Sequence, residues 1–114
     1  MQNDSWTREF PGSIVVCDAA GVVLEMNDRA IEAFASQGGK ELVGRDLADC
    51  HPEPSRSKFK ELLEQPRVNV YTTEKNGTHR LVCQTPWYAN GQYAGLVELV
   101  LEIPATLPHF VRSG

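Results

Sequence analysis

The change of hydrophobic period along the chain constrains its fold more than any other feature. Strand-like runs come first, apolar residues at helical spacing follow, and strand-like runs return after residue 67. Separated strands and helices of this kind predict an α+β domain, with a five-stranded antiparallel sheet and short helices packed on one face. The predicted strands lie at 14–17, 22–26, 68–73, 79–88 and 93–103.

Two helices are predicted in the middle of the chain. The first begins at Asn27 and Asp28, whose short side chains can accept hydrogen bonds from free backbone N–H groups, and it ends at Gly38-Gly39. The second begins near Ser55 and ends before Pro66, because proline breaks the hydrogen-bond ladder.

The last three strands are predicted to form consecutive hairpins. Asn76-Gly77 and Asn90-Gly91 are turn signals because asparagine and glycine tolerate positive φ. Pro86 cannot donate a backbone hydrogen bond, so it predicts an edge or a bulge near the end of its strand.

A chain of 114 residues has the size of one domain. The strand and helix pattern spans residues 12–103. Residues 1–11 are predicted to be a polar leader with at most a short helical turn. Residues 104–114, which include two prolines, are predicted to be a C-terminal tail.

Charge and cysteine usage exclude several classes of protein. The net charge is -4 and the chain has no uninterrupted basic run, so nucleic acid is not an expected partner. The cysteines Cys17, Cys50 and Cys83 match neither a zinc pattern nor a C-x-x-C pair. We recognise no signal peptide and no apolar run long enough to span a membrane, so we expect a cytoplasmic protein without membrane contact.

Several segments, at matching spacing, are similar to the motifs of one family. They are Ile14-Val-Val-Cys-Asp18 with Gly21-Val-Val, Asn27-Asp-Arg-Ala30 with Phe34, Glu41-Leu-Val-Gly-Arg45 with Leu47 and His51-Pro-Glu, Lys75-Asn-Gly77, Pro86, and Gly91-Gln-Tyr-Ala-Gly95. From about residue 12 to 103 the chain resembles the PAS family. The resemblance implies a PAS-like fold and a non-catalytic module for sensing or signal transduction.

The chain departs from the family at its exit from the last strand. PAS domains often end in Asp-Ile-Thr, which caps a helix leading to an output domain. This chain has Glu102-Ile103-Pro104 there, and proline lacks the backbone donor. The sequence therefore leaves the direction of output open.

The family's flavin and haem sites are not favoured by these residues. Flavin adduct chemistry would need a cysteine soon after Gly44-Arg45, where Asp46 and Leu47 stand instead. Haem would need an axial histidine on or just after the second helix, and the candidates His51, His79 and His109 all lie elsewhere. We therefore predict no cofactor.

A metal site and an active site are also not expected. Asp49, Cys50, His51 and Glu53 are close in sequence, but adjacent residues of an extended segment point in different directions. Cys17 and Cys83 lie in predicted strands as small hydrophobic residues, and no phosphate-binding glycine loop is present. The alternative to a non-catalytic module is a haem- or metal-bearing sensor using His51.

A pocket is expected between the concave sheet face and the second helix. Its ligand would be small and of apolar or mixed polarity, unless the same residues simply fill the core. The residues expected to face this space are Val16, Phe34, Leu47, His51, Phe59, Leu63, Val70, Leu81, Cys83, Val97 and Leu99.

An interface is expected at the last hairpin. Trp87, Tyr88 and Tyr93 cluster there, and aromatic residues often anchor a homodimer or an effector domain. Trp6 and Phe10 are expected to pack over the same sheet surface.

Overall fold

The computed structural model describes residues 5–114, and residues 1–4 of the predicted leader lie outside this range. Five strands form one antiparallel sheet in the order β2-β1-β5-β4-β3, with two helices and three 3₁₀ turns between β2 and β3. The predicted α+β fold is therefore confirmed. The bounds are β1 Ser13–Asp18, β2 Val23–Met26, α1 Asp28–Ala33, 3₁₀ turns Ala35–Gln37, Gly39–Leu42 and Leu47–Cys50, α2 Ser55–Glu64, β3 Asn69–Lys75, β4 Thr78–Ala89 and β5 Gln92–Ile103.

Asn27 joins the start of α1 to β1 and to the segment before it. Its Oδ1 accepts from the backbone N–H groups of Ile14 and Ala30, at 2.9 and 3.0 Å. Its Nδ2 donates to the carbonyl oxygens of Thr7 and Gly12, at 3.0 and 2.8 Å. The residue predicted as a helix cap is thus also the buried anchor of residues 7–12.

The core lies between α1, α2 and one face of the sheet. Phe59 and Leu62 of α2 are 3 % and 0 % exposed, and they pack with Val15 and Cys17 of β1. The 3₁₀ turn before α2 is capped by Asp46, whose carboxylate accepts from the backbone N–H of Ala48 at 2.9 Å. The buried cluster consists of Val15, Cys17, Val23, Met26, Ala30, Leu42, Leu47, Ala48, Phe59, Leu62 and Leu96.

The cross-strand register assigns every strand residue to one of two faces. Val15 and Cys17 point toward the helices, and directly paired residues of an antiparallel sheet share a face. We call this helix-covered side the inner face. It consists of Ser13, Val15 and Cys17 of β1, Asn69, Tyr71 and Thr73 of β3, Arg80, Val82, Gln84 and Pro86 of β4, and Leu96, Glu98, Val100 and Glu102 of β5.

The opposite side, which we call the outer face, is apolar along its central strands. Ile14 is 6 % exposed there, and the remaining residues are half-buried. The side chains of Phe10 and Leu101 both lie close to Gly12. Trp6 is 75 % exposed and contacts Phe10 edge-on. The central outer face consists of Ile14, Val16, Leu81, Cys83, Thr85, Trp87, Val97, Leu99, Leu101 and Ile103.

Both predicted Asn-Gly turns are confirmed. Asn76 and Asn90 have φ of 52° and 53°, and the glycine after each also has positive φ. The pairing of β4 with β3 ends at Gln84, so Pro86 lies where β4 has a neighbouring strand on one side only, as predicted for an edge position. The predicted irregularity follows at once, between Trp87 and Tyr88.

The C-terminal tail, residues 104–114, forms no helix or strand and is exposed. Within residues 5–114, no helix has the length and apolar character needed to cross a membrane.

Candidate functional site

A row of hydrogen-bonded polar side chains crosses the inner face at its centre. Asn69 of β3 donates from Nδ2 to Oε1 of Gln84 at 2.8 Å. Gln84 of β4 donates from Nε2 to Oε2 of Glu98 on β5, also at 2.8 Å. Gln84 is 6 % exposed. Polar residues therefore occupy a surface where the neighbouring inner positions Val82, Leu96 and Val100 are apolar.

Two open grooves lie on the inner face, one against each helix. The α1-side groove has a volume of about 550 Å³ and is lined by Phe34, Glu98 and Val100, among others. The α2-side groove has a volume of about 410 Å³ and includes Phe59 and Gln84. The hydrogen bond from Gln84 to Glu98 links the two grooves. We refer to them together as the inner-face cleft.

Burial and a neighbouring charge shift the pKa of the Tyr71 hydroxyl in the α2-side groove. Burial raises the pKa of its hydroxyl, and the carboxylate of Glu98 raises that pKa further. Tyr71 therefore remains a neutral hydrogen-bond donor at physiological pH. The cleft thus presents a hydroxyl, amide groups and a carboxylate, with apolar rings beside them.

His51 forms one wall of the α2-side groove. Its ring stacks on Phe59 with 5.7 Å between the ring centroids and 2° between the planes. Its Nδ1 lies 3.0 Å from the carbonyl oxygen of Leu47, which can only accept, so Nδ1 carries the proton. Nε2 is then the ring nitrogen that is left for a ligand.

Six of the predicted pocket residues point away from the helices, and the expectation that they face the second helix is wrong. The register pairs Val16 with Val97 and Cys83 with Leu99. Each of these residues is next in sequence to an inner-face residue, so its side chain lies on the other face. A shift of one residue moves a strand side chain to the opposite face. The misplaced residues are Val16, Val70, Leu81, Cys83, Val97 and Leu99.

The other five predicted residues lie on the helix side. Phe34 lines the α1-side groove, and His51 and Phe59 line the α2-side groove. Leu47 belongs to the core, which is the alternative that the sequence left open. Leu63 packs against the core and borders a smaller groove of about 230 Å³.

Sequence reasoning missed the polar residues of the cleft. Asn69, Tyr71, Gln84 and Glu98 were passed over because apolar residues were taken as the pocket lining. One signal was available: Glu98 is a single acid within the apolar run 96–101.

The three aromatic residues at the last hairpin have different roles. Trp87 donates from Nε1 to the carbonyl oxygen of Cys17 at 2.9 Å, so its indole crosses β5 at its register partner Gly95. The Tyr93 hydroxyl lies 3.1 Å from the carbonyl oxygen of Leu63 and joins the end of α2 to the sheet. Tyr88 is 60 % exposed and has the most accessible side chain of the three.

No metal cluster is found in the part of the chain that the structure describes, and two of its cysteine thiols, those of Cys17 and Cys50, are not activated. No group of three or more histidine, cysteine and acidic side chains converges among residues 5–114. Burial raises the pKa of the Cys17 thiol to about 11, and burial also raises that of Cys50. Both thiols are therefore protonated at neutral pH.

Comparison with known proteins identifies the fold. The family described as PAS fold matches residues 4–86, which is well over half of the chain. The chain belongs to the PAS family. No curated protein matches this PAS domain.

Solved structures share its architecture at low sequence identity. A C-terminal domain from Streptococcus mutans has a TM-score of 0.69 and 20 % identity, over 84 % of this chain and 78 % of that one. The PAS domain of Bordetella pertussis BvgS has a TM-score of 0.63 and 17 % identity, over 85 % and 80 %. The Aer2 receptor from Vibrio cholerae, described as a dual PAS-heme oxygen sensor, has a TM-score of 0.56 and 17 % identity, over 81 % and 94 %. These likenesses establish the fold.

Proposed function

We propose that this PAS domain is a non-catalytic sensory module that binds a small ligand of mixed polarity in the inner-face cleft. The observation that supports it is the row Asn69–Gln84–Glu98, which lies between two open grooves. Polar groups on an inner sheet face take the place of apolar packing that would otherwise fill it, so their presence there favours recognition of a ligand. The three free thiols fit a reducing compartment such as the cytoplasm.

The position of the cleft offers a route from binding to signalling. Each groove has a helix on one side and the sheet on the other, so a ligand contacts both elements at once. A ligand that fits one arrangement of helix and sheet better than another shifts the population toward the first arrangement. The output would then be a change in how α1 or α2 packs on the sheet.

Native mass spectrometry of the purified domain tests this proposal. We expect an added mass that is lost on denaturation, or that appears when a metabolite extract is supplied. Ala33→Trp would place a bulky ring at the mouth of the α1-side groove, and we expect it to reduce the added mass. Ala35→Trp is the control, because Ala35 is exposed and does not line that groove. A bare mass under all conditions would contradict ligand binding.

A second candidate function is docking of a partner or a second copy on the outer face. The observation that favours it is the half-buried, uncharged apolar surface formed by β1, β4 and β5, since contiguous apolar surface that solvent still reaches can mark an interaction site. Leu99 lies near the centre of this surface, and Thr72 lies beside it on the neighbouring edge strand β3, opposite Leu81.

Sedimentation velocity of two matched variants tests docking by a second copy. Thr72→Glu places a charge on the outer face of β3, and Thr73→Glu places it on the inner face of the same exposed strand. We expect a dimer that Thr72→Glu weakens and Thr73→Glu leaves intact. Equal effects of the two variants would argue against the outer face.

The haem- or metal-bearing sensor remains a third proposal, and His51 supports it because its ring lines the α2-side groove while Nδ1 is engaged by Leu47, which leaves Nε2 for a ligand. An absorption spectrum of the purified protein, with added haem or Zn²⁺, tests it. A Soret band that His51→Ala abolishes would support haem ligation. A colourless protein that binds neither probe would refute it.

A further inference from the structure

Two half-buried side chains of opposite charge lie on the floor of the α1-side groove. Arg80 projects from β4 and Glu98 from β5, both on the inner face. Arg80 faces Glu102 across the strands, and Glu98 faces Gln84. The two charges therefore occupy opposite ends of the same floor.

Both charged groups have bonding capacity that the protein does not use. Among residues 5–114, neither Arg80 nor Glu98 forms an ion pair within 4.0 Å, and the hydrogen bond from Gln84 is the single one that Glu98 receives. A carboxylate can accept about four hydrogen bonds and a guanidinium can donate five. Half-buried charges left in this state gain more from a ligand than fully solvated ones do.

Apolar side chains separate the two charges. Val82 and Val100 form the register pair between the Gln84–Glu98 pair and the Arg80–Glu102 pair. Val100 lines the groove, and the ring of Phe34 faces it from the α1 side. The floor therefore has the Glu98 carboxylate at one end, aliphatic surface in the middle, and the Arg80 guanidinium beside the exposed Glu102 side chain at the other end.

The register sets the length of a ligand that would fit this floor. Arg80 is four residues along β4 from Gln84, so its Cα is about 14 Å from that of Glu98. The two side chains together span about 10 Å when extended toward each other, and less when they stand up from the sheet. Because strand side chains stand roughly perpendicular to the sheet, the gap between the charged groups exceeds the roughly 4 Å left when both are fully extended toward each other and is at most about 14 Å. A hydrogen bond of about 3 Å at each end takes about 6 Å of this gap, so the upright arrangement leaves about 8 Å, which is more than an α-amino acid spans between its nitrogen and its carboxyl carbon.

We propose that the α1-side groove binds a small linear zwitterion, with its ammonium group on Glu98, its carboxylate on Arg80 and its methylene chain on Val100 and Phe34. This inference rests on the proposed sensory function and specifies its ligand class. The fixed direction of the Gln84 amide supports it, because Asn69 occupies the Gln84 oxygen and so turns the Gln84 nitrogen toward Glu98. One oxygen of Glu98 is thereby left for the ligand.

Isothermal titration calorimetry of the domain with a homologous series provides the test. The probes are glycine, β-alanine, 4-aminobutyrate, 5-aminopentanoate and 6-aminohexanoate, with pentylamine and pentanoate as singly charged controls. We expect affinity to rise with chain length and to peak between four and six carbons. Each singly charged control should bind at least about tenfold more weakly than 5-aminopentanoate, because it lacks one charge-assisted contact.

Two variants and two matched controls identify the groups that bind. Glu98→Gln and Arg80→Gln should each weaken 5-aminopentanoate binding by about tenfold or more. Glu32→Gln and Arg29→Gln change exposed charges on the rim of the same groove and should alter binding less than threefold. Equal losses in all four variants would overturn the specific assignment and indicate non-specific attraction.

The outcomes separate this inference from the proposed function. If no zwitterion of the series binds, or if affinity is independent of chain length, the zwitterion proposal fails. If native mass spectrometry then still shows an added mass that Ala33→Trp removes, the sensory function stands with another ligand. If neither probe nor added mass is found, both proposals fail.

Discussion

Replacing Asn27 by alanine removes the side chain that joins the start of α1, the strand β1 and the segment before it. Asn27 is 1 % exposed, and all four of its hydrogen-bonding capacities are used. Its partners are the N–H groups of Ile14 and Ala30 and the carbonyl oxygens of Thr7 and Gly12. Alanine would leave these four backbone groups without the side chain that satisfies them.

The expected loss follows from the individual bonds. Losing an N-cap costs about 1 kcal/mol. A buried backbone group left unpaired costs about 1–3 kcal/mol, and the bonds to Ile14 and Gly12 are buried. We therefore expect Asn27→Ala to lower the free energy of unfolding by about 3–7 kcal/mol. That is a large share of the roughly 5–15 kcal/mol typical of a domain.

Urea unfolding followed by far-UV circular dichroism measures this loss. Asn27→Asp retains the acceptors for Ile14 and Ala30, but it sets a buried carboxylate oxygen against the carbonyl oxygens of Thr7 and Gly12, so it should cost at least as much as alanine. Ser36→Ala is a control at an exposed position and should change stability by less than about 0.5 kcal/mol. A loss below about 1 kcal/mol for Asn27→Ala would refute the view that this residue anchors residues 7–12.

Three further predictions concern single contacts. Gly95→Ala should destabilise the domain by more than about 2 kcal/mol, because a Cβ there would clash with the carbonyl oxygen of Cys17. Gly91→Ala, which meets open space, should cost less when both are compared by thermal denaturation. Tyr93→Phe should cost about 0.5–1.5 kcal/mol in urea unfolding by losing the bond to Leu63, and an unchanged midpoint would contradict that bond. At pH 8 the Cys17 thiolate should be about a hundredfold scarcer than in the unfolded chain, because burial raises the thiol pKa from 9.0 to about 11. Mass-resolved thiol labelling should therefore modify Cys17 only on unfolding. Rapid labelling of the native protein would count against its burial.

The order of elements was predictable because its signals are local. Asp18, Asn27 and the two Asn-Gly turns act through hydrogen bonds or φ values within a few residues of themselves. Such signals do not depend on what packs above the sheet. The α+β fold, the hairpin turns and the irregularity after Pro86 were accordingly predicted from the sequence.

The faces of the long strands were not predictable from the same sequence. In β5, the outward residues Val97 and Leu99 are apolar, whereas the inward positions carry apolar and acidic residues in turn, Leu96 and Val100 with Glu98 and Glu102. The more apolar face of the strand is therefore the outer one, and its hydrophobic pattern indicates the wrong side as the one that meets the helices. Only the placement of α1 and α2 decides the phase, and that placement depends on long-range packing. For that reason the predicted pocket residues on β1, β3, β4 and β5 were assigned to the wrong face.

The role of Glu98 in folding can be separated from its proposed role in binding by two substitutions. Glu98→Gln keeps an oxygen that can accept from Gln84 and removes the charge, so stability should change by less than about 1 kcal/mol. Glu98→Leu leaves the nitrogen of the buried Gln84 side chain without that acceptor and should cost about 1–3 kcal/mol, despite its greater apolar area. Urea unfolding of both variants gives the comparison. If leucine proves as stable as glutamine or more so, the hydrogen-bonded row contributes nothing to folding. If the predicted order holds, loss of zwitterion binding in the stable Glu98→Gln variant reports on the charge, because the row beneath it is intact.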